Sequence, residues 1–296
     1  MSWKHGIAAF FLVTGVLCPI PCLGADDPGS GAFSADQENL LDDYQTMDSM
    51  FSLYQPYLEN ISAYQPIYFL VGTDPEESKF QISLKYRLLN PGKSIAKKYP
   101  WSKNFFLAYT QTSFWDLDAA SQPFKDTSYK PELFFRSQSI YSGRPGTSRL
   151  FVQTGYRHES NGRGGQDSRS TNFAYIQPIY IFFHESTQTG FQIAPAFWAY
   201  VGNHDKTNPD LDRYRGYFDL EIKAGRADRL VLESHLRWGA EGGSLQLDAS
   251  YPLHRLLPII DIDVYLHAQY VNGLAESLLN YRERTRAVRL GISMVR

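Results

Sequence analysis

Apolar and polar residues alternate with a period of two over long stretches of the chain. The segment 80–88 has Phe, Ile, Leu, Tyr and Leu at its even positions, with Gln, Ser, Lys and Arg between them. Segments 218–224, 245–251 and 260–269 repeat this alternation. Because successive side chains of a β-strand point to opposite faces, each segment predicts a strand with one apolar face and one polar, often charged, face.

A soluble β-sandwich has the same alternation, but three features favour a β-barrel that crosses a membrane. The predicted strands are about 10 to 12 residues long, close to the roughly 9 to 11 residues that a tilted strand needs to cross a bilayer. Beyond the N-terminal segment there is no continuous apolar helix, and in lipid a closed barrel is then the structure that satisfies the backbone. Aromatic residues concentrate near the predicted strand ends, as in the interfacial girdles of such barrels: Trp101, Phe105, Phe114, Trp115, Trp198, Tyr200, Trp238 and Tyr251.

Twelve strands are predicted between residues 65 and 296. Their approximate ranges are 65–73, 78–89, 104–116, 130–139, 149–160, 171–183, 190–201, 216–226, 229–239, 243–253, 259–271 and 286–296. An even number of strands is the rule for single-chain bacterial barrels. The predicted fold is therefore all-β, a transmembrane antiparallel β-barrel of about 12 strands located in the outer membrane.

The N-terminal residues have the parts of a secretory signal peptide, which we assign to residues 1–24. Lys4 provides the positive charge, residues 7–17 the short apolar core, and the Cys-Leu-Gly sequence at 22–24 the cleavage site. A transmembrane anchor is the alternative, but about 11 apolar residues fall short of the roughly 20 that a spanning helix needs. Cleavage removes both cysteines of the chain, so we expect an exported protein without disulfide bonds.

Residues 25–64 are acidic and polar, and we expect them to form an N-terminal periplasmic or capping segment with a short helix around 36–50. Over the whole chain, 29 Lys and Arg residues are balanced by 31 Asp and Glu residues. This near-neutral charge argues against nucleic acid as a partner, since binding to phosphates needs a basic surface.

One stretch departs from ordinary strand sequence, from Tyr156 to Asn172: YRHESNGRGGQDSRSTN. His158 and Ser160 are two positions apart, so they stand side by side on one face of a strand. Asn172 begins the next predicted strand, and a short antiparallel connection brings its amide back toward His158. A serine, a histidine and a residue that orients the imidazole form the pattern of nucleophilic acyl transfer. On spacing alone, a solvated glycine-rich loop explains the same residues.

The sequence HESNG at 158–162, with an Asn twelve residues after the serine, resembles the outer membrane phospholipase A family. The resemblance covers nearly all of the chain from about residue 65 onward. The other shared motifs occur in the same order: Tyr109-Thr110-Gln111, Pro123-Phe124-Lys125, YKPEL at 129–133, Gly202-Asn203, Asn208-Pro209-Asp210, 214–217, Glu276-Ser277-Leu278 and Asn280-Tyr281.

The resemblance implies a barrel whose active site lies on the outer wall and faces lipid near the outer leaflet. It implies an enzyme, a phospholipase A that hydrolyses acyl ester bonds of membrane phospholipids at both acyl positions and in lysophospholipids. Carried over by position, Ser160 is the nucleophile, His158 the base and Asn172 the residue that orients the base.

The family is calcium-dependent, so the resemblance also implies Ca²⁺ as a cofactor. The matching ligands are the backbone carbonyl of Arg163, Ser168 and, from a partner subunit, Ser121. Such oxygen donors suit a hard cation. A calcium-bound water and the Gly162 N–H would then stabilise the oxyanion. Asp205 is the nearest match to a further acidic ligand, and a solvated loop carboxylate is the alternative for it.

Gln111 is expected to lie on the lipid-facing side of its strand. An amide in lipid is unfavourable unless it finds a partner. In the family this face meets a second copy, and a pair of Gln111 side chains across a two-fold axis would satisfy both amides. The resemblance therefore implies a homodimer as the active form. The alternative places Gln111 near the membrane interface, bonded to water or headgroups.

Two functions of other classes stay open. A passive pore or structural barrel with an inactive triad is the first, and a soluble secreted esterase on a sandwich fold is the second. The intact triad argues against the pore. So do polar positions that we expect to pair and close the lumen: Glu132, Arg136, Asp219, Glu221 and Lys223. The soluble esterase predicts a protein that stays in solution without detergent.

Overall fold

The computed structural model describes residues 60–73, 78–121, 123–142, 148–202, 207–259 and 262–296. The predicted signal peptide, the expected helix at 36–50 and Asp205 lie outside these residues. The sheet begins at Ile61, a few residues before the predicted start of the barrel at 65.

Strands account for most of the described residues. They are β1 (Ile61–Ala63), β2 (Ile67–Gly72), β3 (Ser78–Arg87), β4 (Phe105–Trp115), β5 (Phe124–Arg136), β6 (Tyr141–Ser142), β7 (Ser148–Ser160), β8 (Ser170–His184), β9 (Thr189–Tyr200), β10 (Phe218–Arg226), β11 (Val231–Gly239), β12 (Gly242–Pro252), β13 (Tyr265–Leu274) and β14 (Arg284–Val295). Short helices lie in the connections: α1 (Ser94–Lys98), α2 (Leu211–Arg215), α3 (Leu253–Leu256) and 3₁₀ turns at Pro100–Asn104 and Gly165–Asp167. Within the described ranges, no helix is long and apolar enough to cross a membrane.

The strands close into a barrel. Neighbours in the sheet are antiparallel, β2 pairs with β14, and β3 pairs with β4. Twelve strands, β2 to β5 and β7 to β14, form the ring, whereas the short β1 and β6 lie along β3 and β7. Each barrel strand therefore has a hydrogen-bonding neighbour on both sides, as a chain in lipid requires. The predicted twelve-strand antiparallel barrel is confirmed.

The barrel is mostly polar inside, where an apolar cluster around Phe134 is buried, and apolar outside. Arg289 on β14 is fully buried, whereas the next residue, Leu290, exposes 53% of its surface. Gln81 and Ile82 on β3 show the same contrast. Adjacent positions on one strand thus meet opposite environments, lumen and lipid. The predicted alternation and its phase are confirmed on β3.

Charged side chains in the lumen are paired, as the sequence predicts. Glu132 accepts hydrogen bonds from Arg157 at 2.7 Å and from Tyr64 at 2.9 Å. Lys223 lies 2.6 Å from Glu233. The other expected lumen residues are bonded as well: Arg136 to Gln153, Asp219 to His235 and Glu221 to Gln192. Because an unpaired buried charge costs several kcal/mol, these pairs stabilise the inner face of the barrel.

Connections that follow β9 and β13 pack together at one end of the barrel. An apolar cluster joins them: Leu211, Ala275, Leu278 and Tyr281. Asp210 accepts hydrogen bonds from Tyr281 and, at 2.8 Å, from Arg282. Since connections alternate between the two ends of an antiparallel barrel, the β7–β8 connection lies at this same end. The stretch from Tyr156 to Asn172 therefore lies beside a packed set of connections.

The predicted strand at 259–271 begins too early. β13 begins at Tyr265, and the residues before it belong to the connection after β12, where Ile259 and Ile262 are strongly exposed. β12 ends at Pro252, which pairs with Tyr265, so earlier residues have no neighbouring strand on that side. Alternation alone could not show where the partner strand ends.

The predicted strand at 130–139 begins too late. β5 begins at Phe124, six residues before its predicted start. Asp126 and Ser128, whose polarity is typical of loops, are buried side chains on the lumen face. A polar residue in this barrel therefore does not mark a turn.

We expect Glu276→Gln to destabilise the barrel. Glu276 follows β13 and lies 3.2 Å from Lys79 and 2.7 Å from Arg289. Burial opposes its ionisation, but the two cations outweigh burial and lower the pKa of Glu276 from 4.5 to about 2. The variant leaves two buried cations without their counter-charge, so the free energy of unfolding should fall by about 3–5 kcal/mol near neutral pH. Urea unfolding of the refolded protein in detergent measures it.

The loss should depend on pH in a definite direction. A carboxylate with a lowered pKa stabilises the folded state above its unfolded-state pKa, and that stabilisation is lost as the pH falls through the folded-state pKa. The difference between wild type and Glu276→Gln should therefore shrink as the pH falls from 4.5 toward about 2. Glu241→Gln is the control, because its pair with Arg213 is exposed and should matter little. A difference that does not change with pH would contradict this account.

Candidate active site

His158 and Asn172 face each other across two paired strands. They are direct partners in the register of β7 and β8, and Nδ1 of His158 lies 2.7 Å from Oδ1 of Asn172. With the carbonyl oxygen of Asn172 as acceptor, Nδ1 carries the proton and Nε2 is the basic nitrogen. The structure thus brings together the predicted base and its predicted orienting residue.

Ser160 stands on the same outward face of β7. Alternate residues on a strand are about 6 to 7 Å apart, so the hydroxyl and the imidazole are neighbours on the wall. No hydrogen bond joins Ser160 Oγ to His158 in the described part of the chain. Catalytic hydrogen bonds are often long without substrate and tighten in the complex. The missing hydrogen bond is therefore compatible with Ser160 and His158 as a catalytic pair. All three predicted triad residues are half-buried and face lipid rather than the lumen.

A row of outward side chains crosses four strands beside this group. Gln111 on β4 is paired with Tyr129 on β5, Tyr129 with Ser160 on β7, and Ser160 with Ser170 on β8. Tyr129 therefore separates the predicted dimer residue from the predicted nucleophile. Sequence reasoning missed Tyr129, because its position next to Ser160 depends on the pairing of strands far apart in the chain.

Gly162 begins the predicted oxyanion loop in a left-handed conformation, with φ of +67°. A Cβ at this position would lie 2.9 Å from the ring of Tyr129. Both the backbone angle and the close ring therefore require glycine here. This arrangement keeps the backbone N–H of Gly162 on a fixed segment next to Ser160.

Asn161 holds the loop in shape. Its side chain is buried, donates to the carbonyl of Asp167 at 2.9 Å, and accepts from the N–H groups of Arg163 and Arg169 at 3.3 and 3.0 Å. Sequence reasoning missed this residue. The Asn-Gly pair was the available signal, since an Asn side chain commonly bonds to the backbone two residues on.

The side chain of Arg163 ties the same loop to β5. Its guanidinium donates to the carbonyl of Lys125 and lies 3.9 Å from the carboxylate of Asp126. Asp126 in turn accepts from the N–H of Leu279, in the connection after β13. The loop that carries Gly162 is therefore connected to two neighbouring segments.

Two of the predicted calcium ligands lie in one loop. Arg163 and Ser168 lie in the one loop, and the carbonyl of Arg163 accepts no hydrogen bond among the described residues. Carbonyl and hydroxyl oxygens are of the kind that a hard cation takes as ligands. Ser121 lies in the exposed turn between β4 and β5, and Asp205 is outside the described residues. In the described ranges, no cluster of three or more His, Asp or Glu side chains forms a metal site.

Gln111 faces lipid, as the sequence predicts, but its amide is bonded within its own chain. Its Oε1 accepts from the hydroxyl of Tyr109 at 3.0 Å, and its Nε2 donates to Ser113 at 3.3 Å. Ser113 also accepts from Thr127 at 3.0 Å. The amide therefore has partners within its own chain, and the role of Gln111 at a dimer interface stays a prediction.

Comparison with known proteins identifies relatives over most of the chain. The family model described as Phospholipase A1 matches residues 34–294. The phospholipase A1 of Escherichia coli strain K12 is 31% identical over 226 residues, which cover 74% of this chain and 70% of that protein. The phospholipase A1 of Klebsiella pneumoniae is 29% identical over 275 residues, 86% of each chain.

Solved structures share the barrel. Outer membrane phospholipase A from Escherichia coli superposes with a TM-score of 0.64 and 29% identity, over 79% of this chain and 97% of that one. The Salmonella typhi outer membrane phospholipase, a dimer with bound calcium, gives a TM-score of 0.62 and 28% identity over 79% and 91%. The family match and the common barrel together show that the chain belongs to the phospholipase A1 family of outer-membrane enzymes.

Proposed function

We propose that this phospholipase cleaves acyl ester bonds of membrane phospholipids with Ser160 as nucleophile, His158 as base and Asn172 as the residue that orients the base. The observation that carries the proposal is the 2.7 Å contact between His158 and Asn172, which leaves Nε2 as the basic nitrogen beside Ser160. The three side chains face lipid, where the substrate lies. This location explains why a membrane enzyme places its chemistry outside the barrel.

The residues act in a fixed order. Nε2 of His158 accepts the hydroxyl proton as Ser160 attacks the acyl carbonyl, and the carbonyl oxygen of Asn172 stabilises the imidazolium. The imidazolium then gives its proton to the departing alcohol of the lysolipid, which leaves an acyl-serine. Water deprotonated by His158 cleaves that ester and releases the fatty acid.

The oxyanion needs donors held in place before the reaction. The N–H of Gly162 is the candidate donor, on the loop that Asn161 and Arg163 fix. Such preorganised donors are worth about 10²–10³ in rate. Calcium held by the carbonyl of Arg163, by Ser168 and by Ser121 of a second copy would add positive charge at the same place. Assembly of the dimer would then control activity.

A passive pore is the second candidate, and the lumen gives it less support. The polar cavity inside the barrel has a volume of about 640 Å³, but several of the charged side chains that line it form ion pairs. These pairs hold charged side chains in fixed positions on the inner face of the barrel. Conductance through planar bilayers tests this alternative directly.

Ser160→Ala should lower the rate of fatty-acid release from phospholipid micelles by at least about 10³-fold, because no other hydroxyl takes the place of the nucleophile. Asn172→Asp should retain more activity than Asn172→Ala, since a carboxylate still accepts from Nδ1. Ser148→Ala, on the same face of β7 at its other end, is the matched control and should behave as wild type. Full activity in Ser160→Ala would refute the triad.

Excess chelator should abolish hydrolysis, and Ser168→Ala should raise the calcium concentration for half-maximal activity by about tenfold, since one oxygen ligand is lost. Isothermal titration with calcium measures the same shift without turnover. Ser186→Ala, in the turn after β8, serves as the control. Equal calcium responses in Ser168→Ala and Ser186→Ala would remove Ser168 from the site.

Gln111→Ala should weaken self-association in detergent by about threefold to tenfold, the range for one polar contact in a membrane. Sedimentation equilibrium at several protein-to-detergent ratios provides the measurement. Thr127→Val is the control, because it removes a hydrogen bond to Ser113 without touching Gln111. Unchanged association in Gln111→Ala would place the dimer contact elsewhere.

A further inference from the structure

Glu159 lies between the predicted base and the predicted nucleophile but points the opposite way. His158 and Ser160 face lipid, whereas Glu159 is 4% exposed and lines the lumen. Its carboxylate accepts a hydrogen bond of 2.6 Å from Nη1 of Arg215, and Nη2 lies 3.5 Å away. Arg215 ends α2 and is itself 7% exposed. The residue between the predicted base and the predicted nucleophile is thus held on the lumen side by a buried ion pair.

The connection that carries Arg215 also contacts the second catalytic strand. Oδ1 of Asn208 accepts from the N–H of Ser170 at 3.2 Å, and Ser170 is the partner of Ser160 in the β7–β8 register. One connection, residues 207–217, therefore contacts β7 through Glu159 and β8 through Ser170.

The connection is itself held in place. Leu211, one of its residues, is 2% exposed in the apolar cluster with Leu278. Asp210 is bonded to Tyr281 and Arg282. Arg215 therefore reaches Glu159 from a packed support.

The orientation of residue 159 affects both of its neighbours. Side chains alternate along a strand, so a rotation of β7 about its axis at this point moves His158 and Ser160 together relative to β8. A buried carboxylate whose hydrogen-bonded cation is Arg215 resists such a rotation, because separation would break a buried ion pair, although Lys130 also lines this part of the lumen. The ion pair consequently fixes the angle at which the two outward side chains leave the wall.

We propose that Glu159 and Arg215 are positioning residues for catalysis, which set the geometry of His158 and Ser160 from inside the barrel. The inference rests on the proposed function of the triad. Neither residue contacts the lipid phase, so their effect is on the chemical step and not on substrate capture.

The test compares Glu159→Gln with Glu233→Gln in the full-length protein refolded in detergent. Glu233 is also a lumen carboxylate with a cation at 2.6 Å, Lys223, but it lies on β11, three strands away from β8 in the sheet. With a short-chain soluble ester, kcat of Glu159→Gln should fall about tenfold to hundredfold while KM stays within about twofold. Inactivation of Ser160 by a fluorophosphonate should slow by the same factor. Glu233→Gln should keep the kcat and the inactivation rate of wild type.

Rescue separates positioning from general destabilisation. The charge-exchanged variant Glu159→Arg with Arg215→Glu restores the pair, and its kcat should exceed that of Glu159→Arg alone by at least about fivefold. If Glu159→Gln does not fold, Arg215→Lys gives the same test, since it keeps the charge but loses the planar fork. Wild-type kcat in Glu159→Gln, or an equal loss in Glu233→Gln, would overturn the inference. An inactive wild-type enzyme that the fluorophosphonate does not label would instead refute the proposed triad.

Discussion

A chain in lipid must satisfy its backbone hydrogen bonds internally, and the ring of twelve paired strands meets this requirement through the contacts of β2 with β14 and of β3 with β4. Closure of the ring also affects which residue types occupy its inner and outer faces. The lumen is shielded from lipid, whereas the outer surface of the barrel contacts it. Arg289 is therefore fully buried while its neighbour Leu290 is exposed. Stability inside then comes from matched charges together with a buried aromatic cluster, in which Phe134 stacks with Tyr64 and Phe106.

The proposed active site departs locally from this rule, because His158, Ser160 and Asn172 put polar groups on the lipid face. The bond between His158 and Asn172 satisfies part of that polarity, and the site lies at the end of β7, beside connections rather than at mid-membrane. Sites that break a local rule of the fold are where function is expected. The proposed catalytic groups lie on the outer face of the strand, and ion pairs lie behind them in the lumen. One strand therefore has a reactive face and a supporting face.

Period-two alternation was enough to predict the strands and the faces of their residues, since each side of the wall meets only one kind of environment. It failed where a strand's extent depends on its neighbour, as at Tyr265, which is fixed by the end of β12. The triad positions came from a local motif and a family resemblance. Tyr129 and the Glu159–Arg215 pair could not be predicted in this way, because their positions depend on contacts between segments distant in sequence. Asn161 differs, since the Asn-Gly pair was a local signal for its loop hydrogen bonds.

The amide of Gln111 is already bonded to Tyr109 and Ser113 in a single chain. A second copy that docks on this face therefore exchanges hydrogen bonds rather than creating new ones. Because bonds are exchanged, the amide would contribute no more than the roughly threefold to tenfold expected of one polar contact, and shape complementarity and the lipids displaced from the wall would supply the rest of the association free energy. The Gln111 amide of a single chain is thus satisfied on the lipid face, and a monomer bears no cost of an unpaired polar group at this position.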